Sequence, residues 1–465
     1  MDVDSPAITT TTSAAGPAPQ PFWHPSDPIA ASPGKLRLPL SGYVDRVGGC
    51  LLGKMCGDVL GAGVEGWAHQ DVQLSNPEGL TDFLHTERGF GCYTDDTQMA
   101  IALARSLVAC GGRVDDVHAA RCYVQEYQQF RGYGATAYKI MSTIQRCGID
   151  SESIRTIGTT YIPDGSFGNG GAMRIAPLGL VYRHAPPEVL RKAVAAALRC
   201  THVHPVAVDG AFVIALGIAY LVEREPPAGA AAADYAPAGA AAADYAPAGA
   251  AAVAASGSGD SEPQVTSTEA MAAAGNVVHD ARDGVVLPKA EAEESVAAAS
   301  TAPPKKVATP LGLLDYLLSH SSLLETEGMV QKLKTVQTAL VQAPHQFKGP
   351  NETWSQYFAS PRWAEELRLQ AEVSEPFQIR ADDAAAAALS ALCCHWGQPE
   401  DAVVAAVHYG GDTDTVAAIT GALVGALHGT RWLPTRWYDN LENGASGRDE
   451  VLQLAIKLAE YDIRT

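Results

Sequence analysis

The chain has 465 residues and a formal net charge of −19, with 33 Lys and Arg against 52 Asp and Glu. That balance argues against direct DNA binding or adhesion to anionic membrane, both of which need clustered cations. The nine cysteines are an odd number, without a CxxC pair or histidines at zinc spacing, so they read as small apolar residues of a reducing compartment.

Residues 1–40 are rich in Pro, Ser, Thr and Ala, and residues 225–309 are richer still in Ala and Pro, with AAADYAPAGA repeated at 231–240 and 241–250. Neither can bury enough apolar surface to offset chain entropy, so the first reads as a disordered tail and the second as a disordered insertion. The insertion holds eleven acids and four bases, leaving the rest acidic by about 12 charges. Residues 41–465 then form one domain around that insertion. The start, MDVDSPAITT, has two early acids and no apolar run, and the most apolar run, Ala211–Val222, is too short to span a bilayer. The expectation is a soluble monomer of the cytosol or nucleus.

The first element in chain order is a helix over Val44–Leu60 with a ridge of Gly48, Gly49, Gly53 and Gly57, ending in GAGVEGW, which presents Glu65 in a turn. A polar loop through Asn76-Pro77 follows, and then a helix from YTDDTQMA to Leu107, capped by Thr94 or Asp95, with Asp95 and Asp96 adjacent. Such a pair is held near other acids only if one takes a proton or a cation binds. Asp115–Ser142 reads as helix interrupted by RGYGA at 131–135. In DGSFGNGGAMR, four glycines within Gly165–Gly171 expose backbone N–H groups that can cradle a phosphate pair, although the pattern fits neither a Walker loop nor a dinucleotide turn. THVHP at 201–205 offers His202 for substrate contact. From Pro310 onward the pattern is again helical, and it ends in HYGGDTDTVAAITGALVG. There Asp412 and Asp414 follow Gly410-Gly411 and open a helix, Val416–Leu427, whose Gly421 and Gly425 imply close approach of a neighbouring backbone. The fold class is all-α.

In this order and with these neighbours, GxxxGDxxGxxxE, YTDDTxMA, RGYGA, GSFGNGGAMR, TH and GGDTDTxAxxxGAxxGA resemble the ADP-ribosylglycohydrolases over about 41–224 and 310–460. The resemblance implies a compact orthogonal multi-helix fold with a central dimetal site. It implies two Mg2+ (Mn2+ can substitute) held by Thr94, Asp95, Asp96, Asp412, Asp414 and Thr415, with Glu65 a mobile carboxylate that ligates or gates. Glu65, Asp95, Asp96, Asp412 and Asp414 are then the catalytic candidates. Asp164, Gly165, Ser166, Phe167, Gly168, Asn169 and Gly170 are expected to hold the diphosphate and distal ribose, His202 the substrate, and Tyr161 and Ile379 the adenine side. The branch that it looks most like removes ADP-ribose from protein serine and cleaves poly(ADP-ribose) and O-acetyl-ADP-ribose. An arginine-specific hydrolase and a non-catalytic ADP-ribose-binding relative are the alternatives.

Overall fold

Glycine recurs every fourth residue at Gly49, Gly53, Gly57 and Gly61, so one helix face there carries no side chain at all. In the computed structural model, which describes residues 40, 42–228, 306–342 and 347–465, that bare face meets another. A Cβ added to Gly49, Gly53, Gly57 or Gly61 would fall well inside van der Waals contact with backbone at Gly425–Gly429, Gly421, Ala417 and Thr413; Gly421 and Gly425 meet Gly53 and Gly49 in return. The two helices cross antiparallel with backbone against backbone. Both ridges predicted from the sequence are therefore two sides of one seam.

The described residues form seventeen α-helices and one short hairpin. The first half holds α1 (Gly42–Gly61), α2 (His69–Ser75), β1 (His85–Thr86), β2 (Gly89–Phe90), α3 (Asp95–Ala109), α4 (Asp116–Glu126), α5 (Ala135–Cys147), α6 (Ala176–Val181), α7 (Pro187–Leu198) and α8 (Pro205–Val222). The second holds α9 (Pro310–Ser319), α10 (Glu327–Gln342), α11 (Trp354–Phe358), α12 (Pro361–Val373), α13 (Ala381–Cys394), α14 (Pro399–His408), α15 (Thr413–His428), α16 (Thr435–Asn440) and α17 (Arg448–Leu458). α15 is the hub. It packs on α1, α8, α13 and α14, and every residue from Thr413 to Leu427 is buried.

Some elements differ from the sequence reading. The polar loop after Trp67 contains α2 and the β1–β2 hairpin, too short to leave a periodic signal. The apolar run begins earlier than Ala211, because His204 Nδ1 accepts from Val206 N and starts α8 at Pro205. α8 is long and apolar enough to cross a membrane, but it is 89% buried inside the protein. Its Asp209 is 0% exposed and accepts from Thr326 N (2.7 Å) and Thr326 Oγ1 (2.6 Å), with Arg191 2.9 Å away. All nine cysteines are free, six of them buried.

The expected tail lies outside the described residues, except Leu40, and so does the expected insertion between 229 and 305. The margins of the insertion are ordered. Glu225 N donates to Lys306 O (3.1 Å), Ala308 N donates to Glu225 O (2.8 Å), and Thr309 caps α9.

Candidate active site

Because α1 and α15 run antiparallel, the C-terminal end of one lies beside the N-terminal end of the other. Thr413 Oγ1 donates to Gly61 O at 2.8 Å, four residues before Glu65 and between Asp412 and Asp414. The turn that leads in, Gly410-Gly411, has φ of +72° and +79°, a region that side chains rarely enter. It also has no room for a Cβ, with His69 N and Trp67 O against Gly410 and with Pro376 O and Gln378 Oε1 against Gly411. Gly411 N donates to Trp67 O and Gly66 N to Gly411 O, both at 2.8 Å. The turns carrying Asp412 and Glu65 are thus sewn together.

α3 supplies the second acid pair. Asp58, 0% exposed on α1, accepts from Thr94 N (3.0 Å) and Thr97 N (2.9 Å) and so pins the start of α3. Thr415 Oγ1 lies 3.3 Å from Asp96 Oδ2, which joins the two halves of the chain directly. One carboxylate oxygen from each of Glu65, Asp412 and Asp414 lies within 4.8 Å of the others.

These groups open on a cavity of about 370 Å³ lined by Glu65, Asp95, Asp96, Asp412, Asp414 and Thr415, by Ser166, Gly168, Asn169 and Gly170, and by His202, Ile379 and the start of α5. The 166–170 segment is held by strand-like pairing. Asn169 N donates to Ile379 O (2.7 Å) and Ala381 N to Phe167 O (3.0 Å). Asn169 Nδ2 donates to Asp412 Oδ2 (2.6 Å) and to Gln378 O (2.8 Å), so this side chain aims an acid as well as facing the cavity.

Burial dominates the electrostatics. It raises the Asp95 carboxyl to about 7, with Asp58 adding to the effect. It holds Asp96 well above the ordinary carboxylate range despite Lys54, and Asp414 likewise, with Asp412 reinforcing it. Asp412 is raised by burial against the bond from Asn169, and Glu65 by burial and then by Asp412. Burial and Arg174 push His202 down to about 3, leaving it a neutral donor or acceptor.

This donor set fits divalent cations. Asp96 Oδ1 is buried without a hydrogen bond, and its nearest cation, Lys54 Nζ, is 3.9 Å away and also lacks one. The converging atoms are carboxylate and hydroxyl oxygens, which suit Mg2+ or Mn2+ rather than a soft-ligand ion.

Other sequence candidates take different places. Thr94 is buried as the N-cap of α3, its Oγ1 accepting from Asp96 N at 3.2 Å. Tyr161, Asp164, Gly165 and Phe167 do not line the cavity. The Tyr161 hydroxyl lies 2.6 Å from Thr143 Oγ1, and Gly165 is a turn at φ +78°. Phe167 is 45% exposed, packed edge-on to His204 with the Arg380 guanidinium over its ring. Asp58, Lys54, Gln378 and Arg174 belong to the site but carried no role in the sequence reading. Arg174 is 0% exposed and donates to Gly170 O (2.7 Å) and Thr201 Oγ1 (2.6 Å). Asp58 and Arg174 had local signals, the GD step inside GxxxGDxxGxxxE and the last residue of GSFGNGGAMR.

A family model described as ADP-ribosylglycohydrolase matches residues 39–309 and 236–464. The chain is similar to ADP-ribosylhydrolase ARH3 of Bos taurus, 32% identical over 194 residues, and of Homo sapiens, 31% identical over 194 residues. Each match covers 39% of this chain and 51% of the relative. It is also 30% identical over 194 residues to the uncharacterised protein YegU of Escherichia coli, covering 39% of this chain and 55% of the relative. The chain spans about half the length of the curated relatives it matches. A solved structure named ADP-ribosylglycohydrolase-related protein complex superposes with a TM-score of 0.49 at 20% identity, over 91% of this chain and 100% of that one.

Proposed function

Since the chain belongs to the ADP-ribosylglycohydrolase family, on the side of ADP-ribosylhydrolase ARH3, we propose that it is a divalent-cation-dependent hydrolase of ADP-ribosylated substrates. Its reaction is cleavage of the glycosidic bond that joins ADP-ribose to protein serine, and of poly(ADP-ribose) and O-acetyl-ADP-ribose, releasing ADP-ribose. The reading rests on one observation above the others. Acids from the two halves of the chain converge, through Thr415 and Asp96, at the end of a cavity whose other wall is the glycine-rich 166–170 segment.

Asp95, Asp96, Asp412, Asp414 and Thr415, with Glu65 at the mouth, would hold two Mg2+. When bound, such ions supply positive charge that binds ribose hydroxyls and lowers the pKa of water. The chain's own residues do the rest. Ser166, Gly168 and Gly170 present the wall against which the diphosphate and distal ribose lie, and neutral His202 offers Nε2 to a substrate hydroxyl. Asn169 holds Asp412 in its orientation. Glu65, with a side chain 40% exposed, is the member of the oxygen cluster that reaches solvent, so it takes the proton of the attacking water. The new bond forms between that water oxygen and the anomeric carbon. The bond to the serine oxygen breaks with its electron pair leaving on that oxygen, which takes up the proton that Glu65 received, through a transition state of oxocarbenium character. Arg88, whose NH2 is 3.6 Å from Glu65 Oε2, restrains the base.

The test is hydrolysis of serine-linked, arginine-linked, polymeric and O-acetyl-ADP-ribose, each with Mg2+ and with EDTA, read as free ADP-ribose by chromatography. Release from the serine-linked peptide with Mg2+ and none with EDTA is the expected result. Preference for the arginine linkage, binding without release, or AMP as product overturns the reading in three different directions.

A further inference from the structure

Outside the cavity, a buried carboxylate ties down the far end of the loop that delivers Asp412. Glu366 on α12 is 0% exposed and accepts three hydrogen bonds. They come from the Tyr357 hydroxyl on α11, from the Tyr409 hydroxyl at 2.6 Å, and from His395 Nε2 at 3.0 Å just past α13. Among the described residues no Lys or Arg pairs with it. Burial pushes its carboxyl up, but His395 and the two hydroxyls outweigh that and leave it below the ordinary range. A buried ion is a poor stabiliser compared with well-packed apolar side chains, so its directional bonds are the more informative property.

The three donors are not equivalent. Tyr357 and His395 belong to packing helices that carry no residue of the cavity. Tyr409 stands at the end of α14, three residues before Asp412, with its ring stacked on Trp363 at 6.3 Å and 16°. Between Tyr409 and Asp412 lie only Gly410 and Gly411, the two residue positions with the widest backbone freedom. Beyond them, the 2.8 Å bonds between Gly411 and the Gly66–Trp67 backbone carry any displacement to Glu65.

We propose that Glu366 is a positioning residue of the acidic site: by holding the Tyr409 hydroxyl it sets where the Gly410-Gly411 turn places Asp412 and, through the shared backbone bonds, Glu65. The proposal rests on the functional reading above in treating that cluster as the cation and substrate site. Side chains that orient ligands from behind typically change metal affinity by about 10–100-fold when removed.

The matched variants Tyr409→Phe and Tyr357→Phe decide it. Each deletes one hydroxyl donor to the same carboxylate from a buried ring, in the full chain. Thermal melting, amide hydrogen exchange of peptides covering 64–68 and 410–415, and Mg2+ affinity by calorimetry are measured on both. Both variants are expected to lose thermal stability. Tyr409→Phe should also speed exchange in the two peptides and weaken Mg2+ binding by about 10-fold, while Tyr357→Phe leaves exchange and Mg2+ affinity as in the wild type. Equal effects of the two variants on the turn, or no effect of Tyr409→Phe there, overturn the proposal. If the wild type neither binds Mg2+ nor releases ADP-ribose, the functional reading fails, and the exchange contrast still decides the role of Glu366.

Discussion

Along the α1–α15 seam the chain brings backbone to backbone by leaving side chains out, whereas one turn beyond it the same two helices crowd Glu65, Asp412 and Asp414 together with Asp96. The seam is held mainly by van der Waals contact between glycine backbones and by buried apolar neighbours, with the Asp45 carboxylate accepting from Thr430 N (3.0 Å) only at its far end. The acid cluster gains nothing from its own charges. Burial raises these four carboxyls and that of Asp95 beside them, so the folded protein at neutral pH carries repulsion that only protons or cations relieve. Close backbone packing along the seam is what sets the charge-rich cluster at its end.

Four changes would break or sharpen that contrast, taken from the largest effect to the smallest. Gly57→Leu drives a side chain into the Ala417 carbonyl and should cost about 3 kcal/mol. Failure to recover folded protein is an equivalent result. As a control outside those four, Gly444→Ala, with nothing within 4 Å of the new Cβ, should stay within about 0.5 kcal/mol by the same melting assay. Asp414→Asn acts on the cluster alone. It should lower turnover at least about 100-fold, yet raise the melting temperature in EDTA, because it removes a buried charge set against Asp412, Asp96 and Glu65.

The third change is pH. Carboxyls raised above their unfolded values keep protons in the folded state that the unfolded chain releases, so stability from this cluster falls as pH rises. The window runs from the ordinary aspartate value of 3.8 up to about 7, where Asp95 titrates. Mg2+ should therefore raise the melting temperature more at pH 8 than at pH 5, and a gap that narrows toward pH 8 contradicts the assignment. The smallest effect is that of Thr94→Ala, which removes a helix cap and should cost about 1 kcal/mol. Calorimetric Mg2+ affinity is expected to be unchanged, which separates a cap from a ligand.

Much of this was legible in the chain itself. The glycine ridge of α1, the close-packed α15, the paired acids and the glycine-rich 164–171 segment all announce themselves over ten or twenty residues. Lys54, Gln378 and Glu366 do not. Each is a single polar residue in an unremarkable helix or loop, and its meaning comes from partners 42, 34 and 43 positions away, at Asp96, Asp412 and Tyr409. Thr94 carries two readings in the sequence, a cap by its position and a ligand by the resemblance, and its geometry makes it the cap of α3.

By itself the sequence determined the helical class, the two bare helix faces and the residue types able to hold a hard cation, because periodicity, backbone freedom and ligand chemistry are local properties. Which carboxylates share one space, which remain at its mouth, and what holds the turn between them were decided only by the tertiary structure. Coulomb energies and hydrogen bonds depend on separations of a few ångströms between residues that lie hundreds of positions apart in the chain, and the antiparallel crossing of α1 and α15 sets those separations.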